Sequence, residues 1–496
     1  MANRWVALAI VFVTRTSMGY QFQSVASVGP LLVSELGLTW AQLGLLIGLY
    51  MLPGAFFALP SGVVGQRLGE RRTVVGSLAL MVVGGLVTAA SPGFAVAAAG
   101  RLLGGIGAVL MNILLAKMVA DWFAEREMST AMAVMLTSWP VGLGVAAATL
   151  GGLATRSSWR MAIVATALAA ALGLVLIAFA YRDPSRTAGG AAGAPPARRA
   201  GLAAREVGLA VSAGLAWGCF NASLVAVVAF GPAMLMARGL SLGDAGFVVS
   251  LAIWVTILSV PLGGLLTDRL RRPNLSIVAG SLAAGLVTML LPVLAHPLLA
   301  FCLLGLATGV SPGAVMALVP RAVAPQRLAT ALGVYYAVFY VVMAATQLAA
   351  GVVRDAAGSP AAPIRFAAFV MASTVLGLAL FRRLGQRDVG RLPALLLRMP
   401  ALDRRLRGEV VGLGELGEDA RRLLRLLAGL RVGEHAARVD ADDHALAQAV
   451  VRIARHAALA QPVQRPVQDS VILEVELYAP VIGHAQSVPQ SRYPPP

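Results

Sequence analysis

The chain is 496 residues long, 58% of them hydrophobic and 13% charged, with a formal net charge of +17. So few charges exclude a soluble globule, in which about a quarter of residues are charged. The excess arginines sit in short turns and a C-terminal tail, with no basic helix face and no interleaved aromatics, which excludes a nucleic-acid surface. Cys219 and Cys302 both fall inside apolar runs, so no disulfide framework is expected.

Many windows hold more than 18 apolar residues, enough to cross a hydrocarbon core of about 30 Å. The pattern predicts an all-α membrane protein with twelve transmembrane helices. In the first half these fall near 5–31, 41–64, 73–90, 95–119, 130–151 and 160–180. In the second half they fall near 207–229, 244–266, 275–294, 298–319, 329–352 and 365–382. Pro92-Gly93 and His296-Pro297 are typical of the turns between them. The first run lacks a small-residue cleavage site and is expected to stay as an uncleaved span.

Between the second and third runs lies a basic turn, Gly62-Val63-Val64-Gly65-Gln66-Arg67-Leu68-Gly69-Glu70-Arg71-Arg72. Its glycines allow a tight reversal, and its arginines belong at a membrane surface. Gly264 to Arg272 repeats the shape: Gly62 pairs with Gly264, Gln66 with Asp268 and Arg67 with Arg269, all 202 positions apart. Leu102-Leu103-Gly104 and Leu303-Leu304-Gly305 pair at nearly the same offset, as do Ala131–Val134 and Ala331–Val334. An offset held across separate segments implies two homologous six-helix bundles.

The basic turn resembles the signature of the major facilitator superfamily, Gly-x-x-x-Asp-Arg-x-Gly-x-Arg-Arg. Gly62, Arg67, Gly69, Arg71 and Arg72 match it, and Gln66 stands where the family has Asp. Arg101, Gly105 and Gly107 match the family's Arg-x-x-x-Gly-x-Gly in its fourth helix. The resemblance covers about residues 1–385. It implies a six-helix bundle at 1–181, a cytoplasmic linker at 182–206, a second bundle at 207–384, and a basic tail from 385 to 496. It also implies that the Asp of the turn latches the halves, which makes Asp268-Arg269 the better latch candidate here.

Basic residues fix the expected orientation. Fourteen arginines between Arg67 and Arg327 fall in one set of turns and the linker, and only Arg156, Arg160, Arg238, Arg354 and Arg365 in the other. Positive residues favour the cytoplasm, so both termini are expected inside the inner membrane. Residues 183–204 read as a flexible linker rich in Gly, Ala and Pro. The tail holds His435, His444, His456 and His484 at spacings that fit no compact metal site. It could be an output domain, partly disordered, or a non-native extension.

Arg15 is the most informative candidate. Counted from Trp5 at about 1.5 Å per residue, it lies about 15 Å along the first helix, near mid-bilayer, where an arginine costs about 2.5–3.5 kcal/mol on insertion scales. It suggests a cavity-facing anion site with Tyr20 and Gln21, and Arg101 as a second cation or as a structural brace. Asn221, Tyr336 and Gln347 are the matching candidates in the second half, the tyrosine weighed against simple packing. Pro140, in Trp139-Pro140-Val141-Gly142-Leu143-Gly144, frees a backbone carbonyl and bends the fifth helix. That stretch resembles the cyanate and nitrate permease branches of the superfamily.

No Asp or Glu lies in the middle of a span; Glu35, Asp121, Asp244, Asp268 and Asp355 fall at ends or turns. A proton-exchanging drug pump would place a carboxylate there, so a small anion is the expected cargo. The expectation is a monomeric secondary transporter in the lipid bilayer that moves a small molecule by alternating access, with a proton as candidate coupling ion. The alternatives are an exporter of drug-like compounds and a non-transporting sensor. No cofactor, metal or catalytic constellation is expected, and hence no enzyme.

Overall fold

The computed structural model describes residues 3–57, 69–123, 127–182 and 202–386. Among these the chain is helical, without a strand. Six rods form the first half: α1 (Arg4–Ser27, continued as Gly29–Leu36), α2 (Trp40–Leu49, then Gly54–Phe57), α3 (Glu70–Ala89), α4 (Phe94–Trp122), α5 (Met128–Arg156) and α6 (Trp159–Val175, closed by a π-helical turn over Leu176–Ala180). Six form the second: α7 (Ala204–Met236), α8 (Leu242–Leu270), α9 (Pro273–Leu290), α10 (Pro297–Thr308, then Pro312–Met316), α11 (Pro325–Ala357) and α12 (Ala362–Gln386). By compactness the chain divides into Met1–Pro320 with Ala324–Arg382, which is the helical body, and Arg321–Val323 with Arg383–Pro496. Gly62, Gln66 and Arg67, most of the linker and the tail from residue 387 lie outside the described residues.

Most rods begin and end within a few residues of the apolar runs, α7 running on to Met236, and four N-termini carry polar caps. Asn3 accepts from the Trp5 amide, Ser158 from Met161 and Ser241 from Asp244, while Thr39 and Gln42 form a capping box on α2. Three rods expected to run unbroken are interrupted, each next to a proline. Pro30, Pro53 and Pro312 lack the N–H that would carry the helix through.

Eleven of the twelve rods are long and apolar enough to cross a membrane. α1 is the twelfth. It is 24 residues long and carries Arg15, Gln21 and Gln23 in its body, which lower its hydropathy. Sixteen of its residues are buried, which removes the polar ones from lipid. α1 packs along α5 and α6, α3 along α4, and α7 along α11.

Two seams join the halves, and each pairs the second helix of one half with the fifth of the other, α2 with α11 and α5 with α8. A two-fold relation between homologous halves requires this arrangement. The backbones touch along the α2–α11 seam, where the Gln347 carbonyl oxygen fills the space a Cβ on Gly44 would need. At its end, Asp355 of α11 accepts the Trp40 amide at 3.0 Å and the Ala41 amide at 2.8 Å. The carboxylate thus caps a helix of the opposite half, and Arg354 stacks over the Trp40 ring at 5.1 Å.

Candidate functional site

The site begins where α1 crosses α5. Gly19 lies against the Trp139 carbonyl and Gly142 against the backbone of Thr16, so neither position has room for a side chain. That close approach delivers Arg15, one turn earlier on α1, to the backbone of α5. Pro140 prepares the acceptor. Its nitrogen carries no hydrogen, so the Leu136 carbonyl four residues back has no helical donor. Arg15 Nη1 donates to that carbonyl at 3.2 Å, to the Met135 carbonyl at 3.0 Å and to Ser138 Oγ at 3.2 Å. Arg15 Nε donates to Asn112 Oδ1 on α4 at 2.8 Å.

All four acceptors are neutral, and no carboxylate of the described residues pairs with Arg15. Its charge is therefore buried, at 8% exposure, without being cancelled. Nη2 has no hydrogen-bond partner among the described residues. From the second half, Tyr336 and Tyr340 of α11 come close enough to interact with the charge. They belong to an aromatic cluster in which Tyr336 meets Tyr335 edge-on at 5.0 Å, Phe339 at 6.2 Å and Tyr340 at 6.5 Å. Phe339 continues it to Trp217 of α7, stacked at 6.4 Å.

Arg101 and Gln21 form a separate cluster within the first half. Arg101 Nε donates to the Leu46 carbonyl (3.0 Å), Nη1 to Gln21 (3.0 Å) and Nη2 to Phe22 (2.9 Å), with the Tyr50 ring 4.4 Å away. Every nitrogen of that guanidinium is bound to backbone, and α1, α2 and α4 are tied together. The Gln21 side chain faces the same cluster, donating to the Met81 carbonyl at 2.8 Å and accepting from Tyr50 Oη at 3.1 Å.

The other candidates are scattered. Tyr20 is half-buried against the core. Asn221 Nδ2 bonds back to the Trp217 carbonyl of its own helix at 2.9 Å. Gln347 Nε2 reaches the Ala222 carbonyl of α7 at 3.0 Å, and its Oε1 is buried without a partner among the described residues. Gly105 packs on the Tyr50 backbone and Gly107 on that of Ser77. Gly69 opens α3 at a φ of 86°, in the left-handed region that favours glycine. Arg71 ties that end of α3 to the Ile177 and Ala178 carbonyls of the π-helical turn, whereas Arg72 is exposed. Asp268 and Arg269 are exposed and make no ion pair with a described residue.

Sequence reasoning did not give Asn112 or Ser138 a part in the Arg15 site. One signal was available, since a proline at position 140 leaves an open carbonyl one turn back for a buried donor to find.

Residues 9–346 and 209–395 match the family described as the Major Facilitator Superfamily. The chain is 30% identical over 136 residues to the inner membrane transport protein YajR of Escherichia coli K12, a match spanning 26% of this chain and 29% of that protein. It is 26% identical over 347 residues to the 3-(3-hydroxy-phenyl)propionate transporter of the same organism, across 67% of this chain and 83% of that one. A solved bacterial homologue of the human lysosomal transporter Spinster, inward-facing and unoccupied, has the same fold. It aligns with a TM-score of 0.61 at 17% identity, over 77% of this chain and 96% of that one. The paired seams, the twelve rods and these matches agree: the chain belongs to the Major Facilitator Superfamily, a family of membrane transporters rather than enzymes.

Proposed function

We propose that the protein is a secondary transporter that carries a small organic anion, a carboxylate joined to an apolar or aromatic body, by alternating access between its halves. One observation carries this reading. Arg15 is buried in the membrane-spanning body with an uncancelled charge and one donor nitrogen to spare. An anion beside it supplies the missing counter-charge, and the Tyr336 and Tyr340 rings offer aromatic surface from the opposite half. Support also comes from the E. coli relative named for 3-(3-hydroxy-phenyl)propionate, a compound that joins a carboxylate to a phenol ring.

Arg101 is left out of the ligand set, because its donors are engaged by backbone. It serves as a brace inside the first half. The exposed Asp268-Arg269 pair, in the last turn of α8, is assigned to the cytoplasmic side, with both termini on that side. The α2–α11 seam then closes the outer end.

Uptake of 3-(3-hydroxyphenyl)propionate into proteoliposomes tests the reading. Arg15→Ala should weaken the apparent affinity at least tenfold while the protein remains folded. Unchanged affinity in that variant would remove Arg15 from the site.

A further inference from the structure

We infer that Asn112 is a second anion-contacting residue, and that Arg15 Nη2 and Asn112 Nδ2 together form the donor edge that takes the carboxylate. The inference rests on the transporter reading above and adds a residue to its site.

The chemistry of the Arg15–Asn112 bond fixes the asparagine. Arg15 Nε can only donate, so Asn112 must present Oδ1 to it across the 2.8 Å contact. The amide plane then points Nδ2 away from that bond. Nδ2 has no partner among the described residues, and neither does Arg15 Nη2. Asn112 is half-buried, so its amide is not sealed into the packing. Two side chains already joined to each other thus keep one unused donor nitrogen each, beside one uncancelled positive charge. A carboxylate has two oxygens that can accept from two neighbouring donors and a single negative charge that matches the guanidinium.

The arrangement also explains why an asparagine serves here and an aspartate would not. Aspartate could still accept from Arg15 Nε and would hold that side chain in place. It would, however, cancel the charge and replace the donor with an acceptor that repels the ligand. The identity of residue 112 thereby decides whether the site prefers an anion over its uncharged analogue.

The experiment measures binding of 3-(3-hydroxyphenyl)propionate and of its neutral primary amide to the purified full chain by calorimetry, with thermal unfolding as a check on folding. The unaltered chain should prefer the acid. Asn112→Ala should weaken the acid about tenfold and leave the amide within about twofold. Asn112→Asp should abolish the preference for the acid, and this loss cannot come from a displaced Arg15, because the acceptor that holds it is retained. Should Asn112→Asp fail to fold, the acid-to-amide preference in Asn112→Ala is read against that in Arg15→Ala: a smaller loss supports a donor lost from Asn112, and a loss as large as that of Arg15→Ala, which a displaced Arg15 would give, overturns the assignment.

Acid binding within twofold of the unaltered chain in a folded Asn112→Ala protein would overturn the assignment. Arg15→Ala separates the two levels of failure. If Arg15→Ala weakens the acid and Asn112→Ala does not, only Asn112 falls. If neither weakens it, or if the unaltered chain shows no preference for the acid, the anion reading falls with it.

Discussion

Arg15 and Arg101 sit in the same six-helix half, both buried, both held by backbone carbonyls, and neither paired with a carboxylate of the described residues. They differ in what is left over. Arg101 has every nitrogen bonded to the backbone of α1 or α2 and a tyrosine ring against its face. Arg15 shares its acceptors between α4 and α5 and keeps Nη2 free of partners among the described residues. On the proposed reading, unused donors rather than burial separate a binding site from a brace, since both guanidiniums are buried.

The sharpest way to break this comparison is Arg101→Met. It removes three charge-assisted hydrogen bonds that join three helices, and should cost about 3–5 kcal/mol of stability. The expected result is a large drop in melting temperature and folded yield, measured by size-exclusion thermal shift. A stable Arg101→Met protein that fails only in substrate affinity would exchange the roles of the two arginines.

Pro140→Ala sharpens the comparison from the side of Arg15. The new amide hydrogen can bond to the Leu136 carbonyl and competes with Arg15 Nη1 for it. Removing a proline from a helix interior gains up to about 3 kcal/mol, so melting temperature should hold or rise. Substrate affinity should fall about threefold as the guanidinium loses part of its seat, with both effects read from one preparation by thermal shift and calorimetry.

The smallest expected effect is at the seam. Asp355→Asn keeps an acceptor for the α2 amides but removes the charge that favours a helix N-terminus, worth about 0.5–1 kcal/mol. A cysteine placed at Ala344, which is buried on the same seam against Gly48 of α2, with Cys219 and Cys302 replaced by serine, should then react with a thiol reagent about two- to fivefold faster if the seam loosens as a whole. An unchanged rate would show that backbone packing alone holds the seam together.

Much of this architecture could be read from the residues. Apolar runs gave the rods to within a few residues, and the repeated basic turn gave the two halves that the crossed seams display. The interruptions at Pro30, Pro53 and Pro312 escaped notice because apolar content continues straight through them. Arg15 stood out because one charge in an apolar run is visible in one dimension. The role of Arg101 was not, since it depends on which carbonyls of two other helices turn toward it. Asn112 carried no signal as a partner of Arg15, being 97 residues away in the chain. Asn221 and Gln347 were visible as polar residues within apolar runs, and the side-chain amide nitrogen of each donates to an α7 carbonyl.

The composition of α1 has a consequence for biogenesis. Its arginine emerges from the ribosome 97 residues ahead of Asn112 and 120 ahead of Met135. During that interval the first span, the least apolar of the set, lacks the acceptors that later hold Arg15 and carries the insertion cost of its charge, about 2.5–3.5 kcal/mol. The final seat of Arg15 is therefore complete only once the fourth and fifth spans have been made.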